Sequence, residues 1–292
     1  MNCIINFTPT GMIPTKQMTP HVPITPEEIV EQVLAAADVG ITLVHLHARD
    51  PRTGEPSYRA DIYNEIITGI RKYHPELVIG VSTSGRDVYE LEKRAAVLGL
   101  KGDSKPDMAS LTLSSLNFNK QASINSPDMI TALAGEMKNN NILPELEVFD
   151  VGMINYAKYL EKKGLLEPPH YFGLIIGNIA CAQADLLHCG VMLRDLPENS
   201  VWSIGGVGDA QLMMNSLAIS MGGGVRVGLE DNIYYDSART RLATNLDLIK
   251  RIHVIAEANE RAIMKPAELR ETLHLESGSG KYGRRVARQQ KK

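Results

Sequence analysis

Cysteine is scarce in this chain of 292 residues, which holds only Cys3, Cys181 and Cys189. Three scattered thiols make no disulfide framework and fit a reduced cytosol. Charge of one sign is lacking too. With 31 basic against 34 acidic side chains, the net charge of −3 gives no electrostatic reason to expect nucleic acid or an anionic membrane as partner. No apolar run approaches the roughly 18 to 20 residues that span a bilayer. The opening residues, Met1-Asn2-Cys3-Ile4-Ile5-Asn6, lack the basic flank and cleavage site of a signal peptide. These absences together predict a soluble, cytoplasmic protein. No G-x-S-x-G elbow surrounds Ser82, which argues against a serine hydrolase.

What is present is an ordinary globular mixture, 43% hydrophobic and 22% charged, which excludes collagen-like and wholly disordered classes. Strand-like apolar runs alternate with helical patterns along the whole chain. Cys3–Phe7 reads as a first strand, followed by a long Thr/Pro-rich loop to Ile24. Thr25-Pro26-Glu27-Glu28 then opens a helix, with Thr25 as N-cap, Pro26 in the first turn and Glu28 completing a capping box. Further strands are expected at 41–46, 77–82, 108–112, 145–149, 171–176, 201–204 and 224–228. Helices are expected between them, including 88–98 and 180–193, with a last long one over 245–259.

Eight βα units in under 300 residues predict an α/β protein of the (β/α)8 TIM barrel type, typically about 250 residues. A doubly wound open sheet could use the same elements. No linker-like run breaks the alternation, so residues 1–276 are read as one domain. From Ser277 a glycine-rich stretch leads into Lys281, Arg284, Arg285, Arg288, Lys291 and Lys292, which reads as a mobile basic tail over 277–292.

Reactive groups of such barrels gather at the C-terminal strand ends. The second strand ends in Val44-His45-Leu46-His47, and side chains two apart on a strand share a face. His45 and His47 are therefore a ready pair of metal ligands, with two core histidines as the alternative. Barrel closure brings the eighth strand near, so a third ligand should come from Glu230 or Asp231. Two histidines and a carboxylate with an open position make a catalytic divalent site; zinc is expected, although Mn or Fe would suit the same ligands. Arg226 could pair with Asp231 or fork onto a substrate carboxylate, or serve as an ion pair closing the barrel. Thr8, Thr10 and Lys16 come from the first loop, Ser110 and Thr112 from the fourth strand, and Glu145 and Glu147 share a face of the fifth. The run Gly205-Gly206-Val207-Gly208-Asp209 could cradle a phosphate or simply allow close packing. Cys181, His188 and Cys189 fall on the expected sixth helix, where core packing is the preferred reading.

Several segments keep the order of a known family. They include Phe7-Thr8-Pro9-Thr10-Gly11, Pro20-His21-Val22-Pro23-Ile24-Thr25-Pro26-Glu27-Glu28 and His45-Leu46-His47-Ala48-Arg49. Ser82-Thr83, Pro106-Asp107-Met108-Ala109-Ser110-Leu111, Leu116-Asn117-Phe118, Pro144-Glu145-Leu146-Glu147-Val148 and Gly228-Leu229-Glu230-Asp231-Asn232 continue the series. From about Phe7 to Leu275 the chain resembles the β-keto acid cleavage enzyme family.

That resemblance implies a zinc-dependent barrel acyltransferase, a homotetramer or other homo-oligomer, that exchanges groups between a β-keto acid and acetyl-CoA to give acetoacetate and a new acyl-CoA. It implies His45, His47 and Glu230 as zinc ligands and Ser82, Arg226 and Asp231 as the catalytic set. Ser110 and Glu145 would lie in the substrate pocket, with Thr10 and Thr112 counted beside them from their strand-end positions. Asp231, oriented by Arg226, is expected to take a proton through Ser82 and start a retro-Claisen step. Members acting on an aminated substrate carry an acidic residue where this chain has Ile13. An apolar side chain does not compensate a buried ammonium, so a neutral, apolar or differently charged keto acid is expected, with Lys16 a candidate anion partner. Two other readings exist. Barrel metal-dependent hydrolases place their His-x-His on the first strand, whereas here it is on the second, and a non-catalytic barrel binding a small acid or CoA would carry no metal.

Overall fold

Eight parallel strands close into a barrel in the computed structural model, which describes residues 1–285. They are β1 (Ile5–Phe7), β2 (Leu43–Leu46), β3 (Val78–Val81), β4 (Met108–Thr112), β5 (Leu143–Val148), β6 (Tyr171–Ile176), β7 (Val201–Gly206) and β8 (Gly224–Val227). Each pairs with its neighbours in chain order. β1 closes the ring, with Asn6 opposite Leu43 on one side and Arg226 on the other. An open doubly wound sheet would leave both edge strands unpaired, so this pairing decides for the (β/α)8 barrel.

The helices are α1 (Pro26–Val39), α2 (Ala60–Arg71), α3 (Leu91–Ala95), α4 (Pro127–Asn139), α5 (Val151–Lys162), α6 (Leu186–Asp195), α7 (Ala210–Ser220), α8 (Asn245–Ala258) and α9 (Pro266–Thr272). α1 begins as its sequence predicts: Glu28 N donates to Thr25 Oγ1 at 3.3 Å and Thr25 N donates back to Glu28 Oε2 at 3.3 Å. Two helices depart from expectation. α3 is a short α-turn continued by a 3-10 segment at Ala96–Gly99. α6 starts at Leu186, not near Ala180, because the preceding backbone donors are engaged elsewhere. Ala182 N donates to Phe149 O (2.9 Å) and Gly177 N to Ala182 O (2.9 Å), and only at Asp185 does a side chain cap a helix, accepting from His188 N (2.8 Å). Cys181 therefore sits in a loop; Cys189 packs on Met214 inside and His188 is exposed.

The barrel interior is layered. At its floor, Ile4, Leu43, Val78, Met108, Leu143, Tyr171 and Val201 pack with Met264, Leu269, Leu273 and Leu275 from α9 and its flanks. Burying each such side chain stabilises by about 1.5–3 kcal/mol relative to exposure. One strand period higher, the side chains facing inward turn polar: Asn6, His45, Ser110, Glu145, Ser203 and Arg226, every one at most 3% exposed. The apolar plug thus supports a platform of polar groups.

The stretch from Ser277 is a correction to the expected mobile tail, because its described part, 277–285, is docked beneath the barrel. Tyr282 is buried with its ring centre 3.2 Å from the Arg71 guanidinium carbon, and Arg284 N donates to Asn141 O at 2.7 Å. Arg288, Lys291 and Lys292 lie outside the described residues. The anchor is Asp107, fully buried. It accepts a bidentate fork from Arg270 (2.8 and 2.9 Å), a third bond from Arg71 (3.1 Å) and the Gly283 N–H (3.1 Å). Burial alone would raise the Asp107 pKa, but Arg270 and Arg71 outweigh it and hold it below the ordinary carboxylate range.

Asp107→Ala should therefore cost about 3–5 kcal/mol in urea unfolding followed by Trp202 fluorescence, because two buried guanidinium groups lose their partner. A carboxyl whose folded pKa is depressed stabilises fully above its unfolded pKa and loses that contribution as pH falls through the folded value. The gap between wild type and variant should accordingly narrow in acid. A gap that is small at neutral pH, or unchanged in acid, would contradict this account.

Candidate active site and metal centre

The polar platform is built by strand register. His45 and His47 rise from the end of β2, Glu145 and Glu147 from β5, Arg226 from β8, and Glu230 and Asp231 from the turn after it. Closure of β8 onto β1 brings the last group across to β2, as the eight-unit count predicts.

His45, His47 and Glu230 meet. One ligand atom from each lies within 4.8 Å of the others. The two Nε2 atoms are 3.2 Å apart, and His47 Nε2 is 3.1 Å from Glu230 Oε1. Two nitrogens sharing a tetrahedral zinc ion would stand roughly 3.3 Å apart, so the spacing suits a shared ion. His45 Nδ1 donates to Glu145 Oε2 at 2.8 Å, and Asn6 Nδ2 donates to Glu145 Oε1 at 2.7 Å. This orients the ring and turns His45 Nε2 toward the centre, the outer support expected of a metal-binding histidine. Glu230 Oε2 is buried without a hydrogen-bond partner among the described residues. A free carboxylate oxygen beside two facing imidazole nitrogens fits a divalent cation and explains why the atom is left over.

Arg226 organises the acids. Its Nε donates to Asp231 Oδ2 (2.9 Å) and its Nη2 to Glu230 Oε1 (2.7 Å), while Nη1 lies 3.7 Å from Glu147 Oε1. Burial favours a neutral guanidinium, but Asp231, Glu230, Glu147 and Glu145 outweigh it and hold Arg226 firmly charged. Burial also pushes His45 down, yet Glu145 against Nδ1 prevails and pushes it up to about 9; His47, with weaker support, is shifted down by burial. Asp231 moves opposite to Glu230: burial, joined by the charge of Glu230, raises its pKa against the lowering pull of Arg226. Four carboxylates surround one guanidinium here, an excess of negative charge that a divalent cation would balance.

The remaining sequence-expected residues divide. Thr10 is fully buried, and its Oγ1 has no hydrogen-bond partner among the described residues. Its loop folds over Glu230: Gly11, at φ +65°, leaves no room for a Cβ against Glu230 Cγ, and Arg49 Nη1 pins it by donating to Gly11 O at 2.8 Å. Ser110 Oγ accepts from Thr83 N (3.0 Å), and Thr112 Oγ1 donates to Glu147 Oε2 (2.9 Å). Ser82 lines a cleft together with His47 and Met12, and among the described residues it makes no hydrogen bond to Asp231. Ile13 is half exposed. Lys16 Nζ pairs at the surface with Glu28 Oε1 at 2.8 Å, the same carboxylate that caps α1.

Sequence reasoning missed the supports. Asn6 carries no signal beyond its place on the first strand. Gly80 and Gly173 face Glu145; a Cβ at Gly80 would lie 3.1 Å from Oε2, so these positions make room for a buried carboxylate. Gly205, in the run considered for phosphate, makes room for the Arg226 side chain in the same way, and Gly208 N donates to Asp231 O (2.8 Å). Close packing is the role the geometry shows for that run.

If Glu145 orients His45, Glu145→Gln should weaken zinc affinity about 10- to 100-fold in a competitive chelator titration, with the fold intact. Wild-type affinity in that variant would remove Glu145 from the metal centre.

Comparison with known proteins agrees with this geometry. The profile of the family described as beta-keto acid cleavage enzyme matches residues 2–275. The 3-oxoadipate:acetyl-CoA acetyltransferase of Cupriavidus necator is 37% identical over 279 residues, covering 94% of this chain and 95% of that protein. A 3-keto-5-aminohexanoate cleavage enzyme of Fusobacterium nucleatum is 34% identical over 275 residues, covering 93% and 97%. Among solved structures, the ternary complex of ObcA with C4-CoA adduct and oxalate superposes with a TM-score of 0.76 at 23% identity, covering 88% of this chain and 68% of that one, a likeness of fold. With the profile spanning the barrel and both curated relatives aligned over nearly their full length, this chain is an enzyme of the β-keto acid cleavage enzyme family.

Proposed function

We propose that the protein is a zinc-dependent acyltransferase between a β-keto acid and acetyl-CoA. The observation that carries the reading is the His45/His47/Glu230 cluster beside the Arg226–Asp231 pair, in a chain whose family match spans residues 2–275. The exchange balances without any further reagent. The C2–C3 bond of the keto acid breaks, its acyl part passes to the CoA sulfur, and its two-carbon carboxylate unit joins the acetyl carbon as acetoacetate. The C. necator and F. nucleatum relatives carry names for acetyl-CoA-dependent transfer and for keto acid cleavage, which supports this class.

When bound at His45, His47 and Glu230, a zinc ion supplies Lewis-acid polarisation of the keto group. The chain's own residues do the rest. Asp231 is held by Arg226 Nε and by a long contact from Thr8 Oγ1 (3.4 Å), so its orientation is fixed before substrate arrives. A buried carboxylate with a raised pKa is a stronger base than an exposed one. In this reading Ser82, seated in the cleft it shares with His47, gives its hydroxyl proton to Asp231 as it takes one from C2 of the substrate, and the proton returns to C2 when acetoacetate is released. Thr10, whose buried hydroxyl is unpartnered, and Ser110, whose O–H remains available as a donor, provide hydrogen bonds to the substrate's oxygens. The barrel hydrolase reading loses its support because β5 offers Glu145 and Glu147 in place of further histidine ligands.

Purified protein should contain about one zinc per chain by mass spectrometry of the metal. With acetyl-CoA and a panel of apolar, polar and charged β-keto acids it should form acetoacetate and a new thioester. Chelation should abolish turnover and zinc should restore it. Asp231→Asn should lower kcat by at least about 100-fold while metal content persists. No turnover across the panel, or an active Asp231→Asn variant, would remove the reading or the base assignment respectively.

A further inference from the structure

The loop after β3 carries a second cation close to the site. Arg86 is partly buried, and among the described residues its guanidinium makes no ion pair and donates no hydrogen bond. It is nonetheless held in place. The guanidinium carbon lies 3.6 Å from the centre of the Phe118 ring, and Phe118 stands edge-on against Phe149 with ring centres 5.8 Å apart. The backbone under it is equally constrained. Gly85 O accepts from Ile124 N at 3.0 Å, and no Cβ fits at Gly85 against Ile124 O. Buried Arg94 ties the loop down by donating to Thr83 O (2.8 Å) and Asn125 Oδ1 (2.7 Å). The same loop lines the cleft beside His47 with Ser82, Thr83 and Ser84, and burial, which lowers the Arg86 pKa, is opposed by Glu230, Asp87, Glu147 and Asp231.

The neighbouring cations are engaged. Arg226 is consumed by its carboxylates, and Arg94 by Thr83 O and Asn125 Oδ1. Ile13, where aminated-substrate members of the family carry an acid, brings no negative charge. A stacked, preorganised guanidinium with no partner is suited to one planar carboxylate, which it can take bidentately.

We propose that Arg86 is a specificity-determining residue that pairs with a carboxylate at the far end of the substrate, so that the enzyme takes β-keto dicarboxylates. The inference rests on the acyltransfer reading for the identity of the reacting end. The other anion in the reaction is a CoA phosphate. A dianionic phosphate beside three catalytic carboxylates is repelled more strongly than a single carboxylate, which favours the substrate.

The test uses the full-length, zinc-loaded enzyme, acetyl-CoA and three six-carbon keto acids differing only at the far end: 3-oxohexanedioate, 3-oxohexanoate and 6-amino-3-oxohexanoate. Wild type should prefer the dicarboxylate in kcat/KM. Arg86→Ala and Arg86→Gln should lose about 30- to 100-fold on it, chiefly through KM, with 3-oxohexanoate turnover and the KM for acetyl-CoA within about twofold of wild type. Arg86→Lys should recover part of the loss, since it restores the charge without the fork. Equal losses on the dicarboxylate and the neutral acid, or an effect confined to the KM for acetyl-CoA, would overturn the assignment. Should wild type turn over none of the three, the acyltransfer reading fails and calorimetry with adipate decides the anion site separately. Binding that Arg86→Ala abolishes sustains it, and absence of binding, or equal binding, rejects it.

Discussion

The guanidinium of Arg226 is the group on which the rest of the site depends. It is 3% exposed, and carboxylates reach it from the turn that follows its own strand and, across the barrel, from β5. A buried charge is tolerated only where partners compensate its lost hydration, and here the partners are the acids of the candidate site. The same contacts that keep Arg226 in the core therefore aim Asp231, hold Glu230 beside His47 and tether Glu147 above the platform. Negative charge still exceeds positive in this space. That imbalance, with the unpartnered Glu230 oxygen and the facing imidazoles, is an arrangement that a divalent cation would complete.

The division of the barrel into layers explains how so polar a site can exist in a stable core. The floor is an apolar plug to which α9 contributes, and the docked segment beyond it is locked by Asp107 between Arg270 and Arg71. Stability is thus concentrated at the end of the barrel opposite the chemistry. The reactive end can then accept crowded carboxylates, and glycines in place of packing side chains, at positions such as Gly80 and Gly205. Above the platform, the first loop covers Glu230 through Gly11, and the loop after β3 presents Arg86 over Phe118. The centre common to the reaction and the groups that would choose a substrate stand on different elements. Relatives named for an acidic and for an aminated keto acid both match nearly the whole chain, as such a separation would allow.

Much of the architecture is legible along the chain because it depends on local patterns. Apolar runs at strand spacing, the Thr25–Glu28 capping box and the alternation of eight units each specify structure over a few residues. Failures occur where distant backbone groups compete. The sixth helix starts late because Phe149 and Gly177 take up the backbone of the loop before it, and the basic stretch after Ser277 docks because a buried aspartate 176 residues away accepts the Gly283 N–H.

The candidate site shows the same boundary. The sequence by itself determined that His45 and His47 share a face, that Glu145 and Glu147 share another, and that a Glu-Asp pair follows the last strand. Period-two alternation is a property of the backbone alone. Only the tertiary structure decided how closely Glu230 stands against His47, that Glu145 supports a histidine, and that Asn6 supports Glu145. Those choices follow from the stagger of strands in a closed barrel, which brings together side chains a hundred or more residues apart. The same holds for Arg86. Its charge is plain in the sequence, but its lack of a partner is a fact about everything else that folds around it.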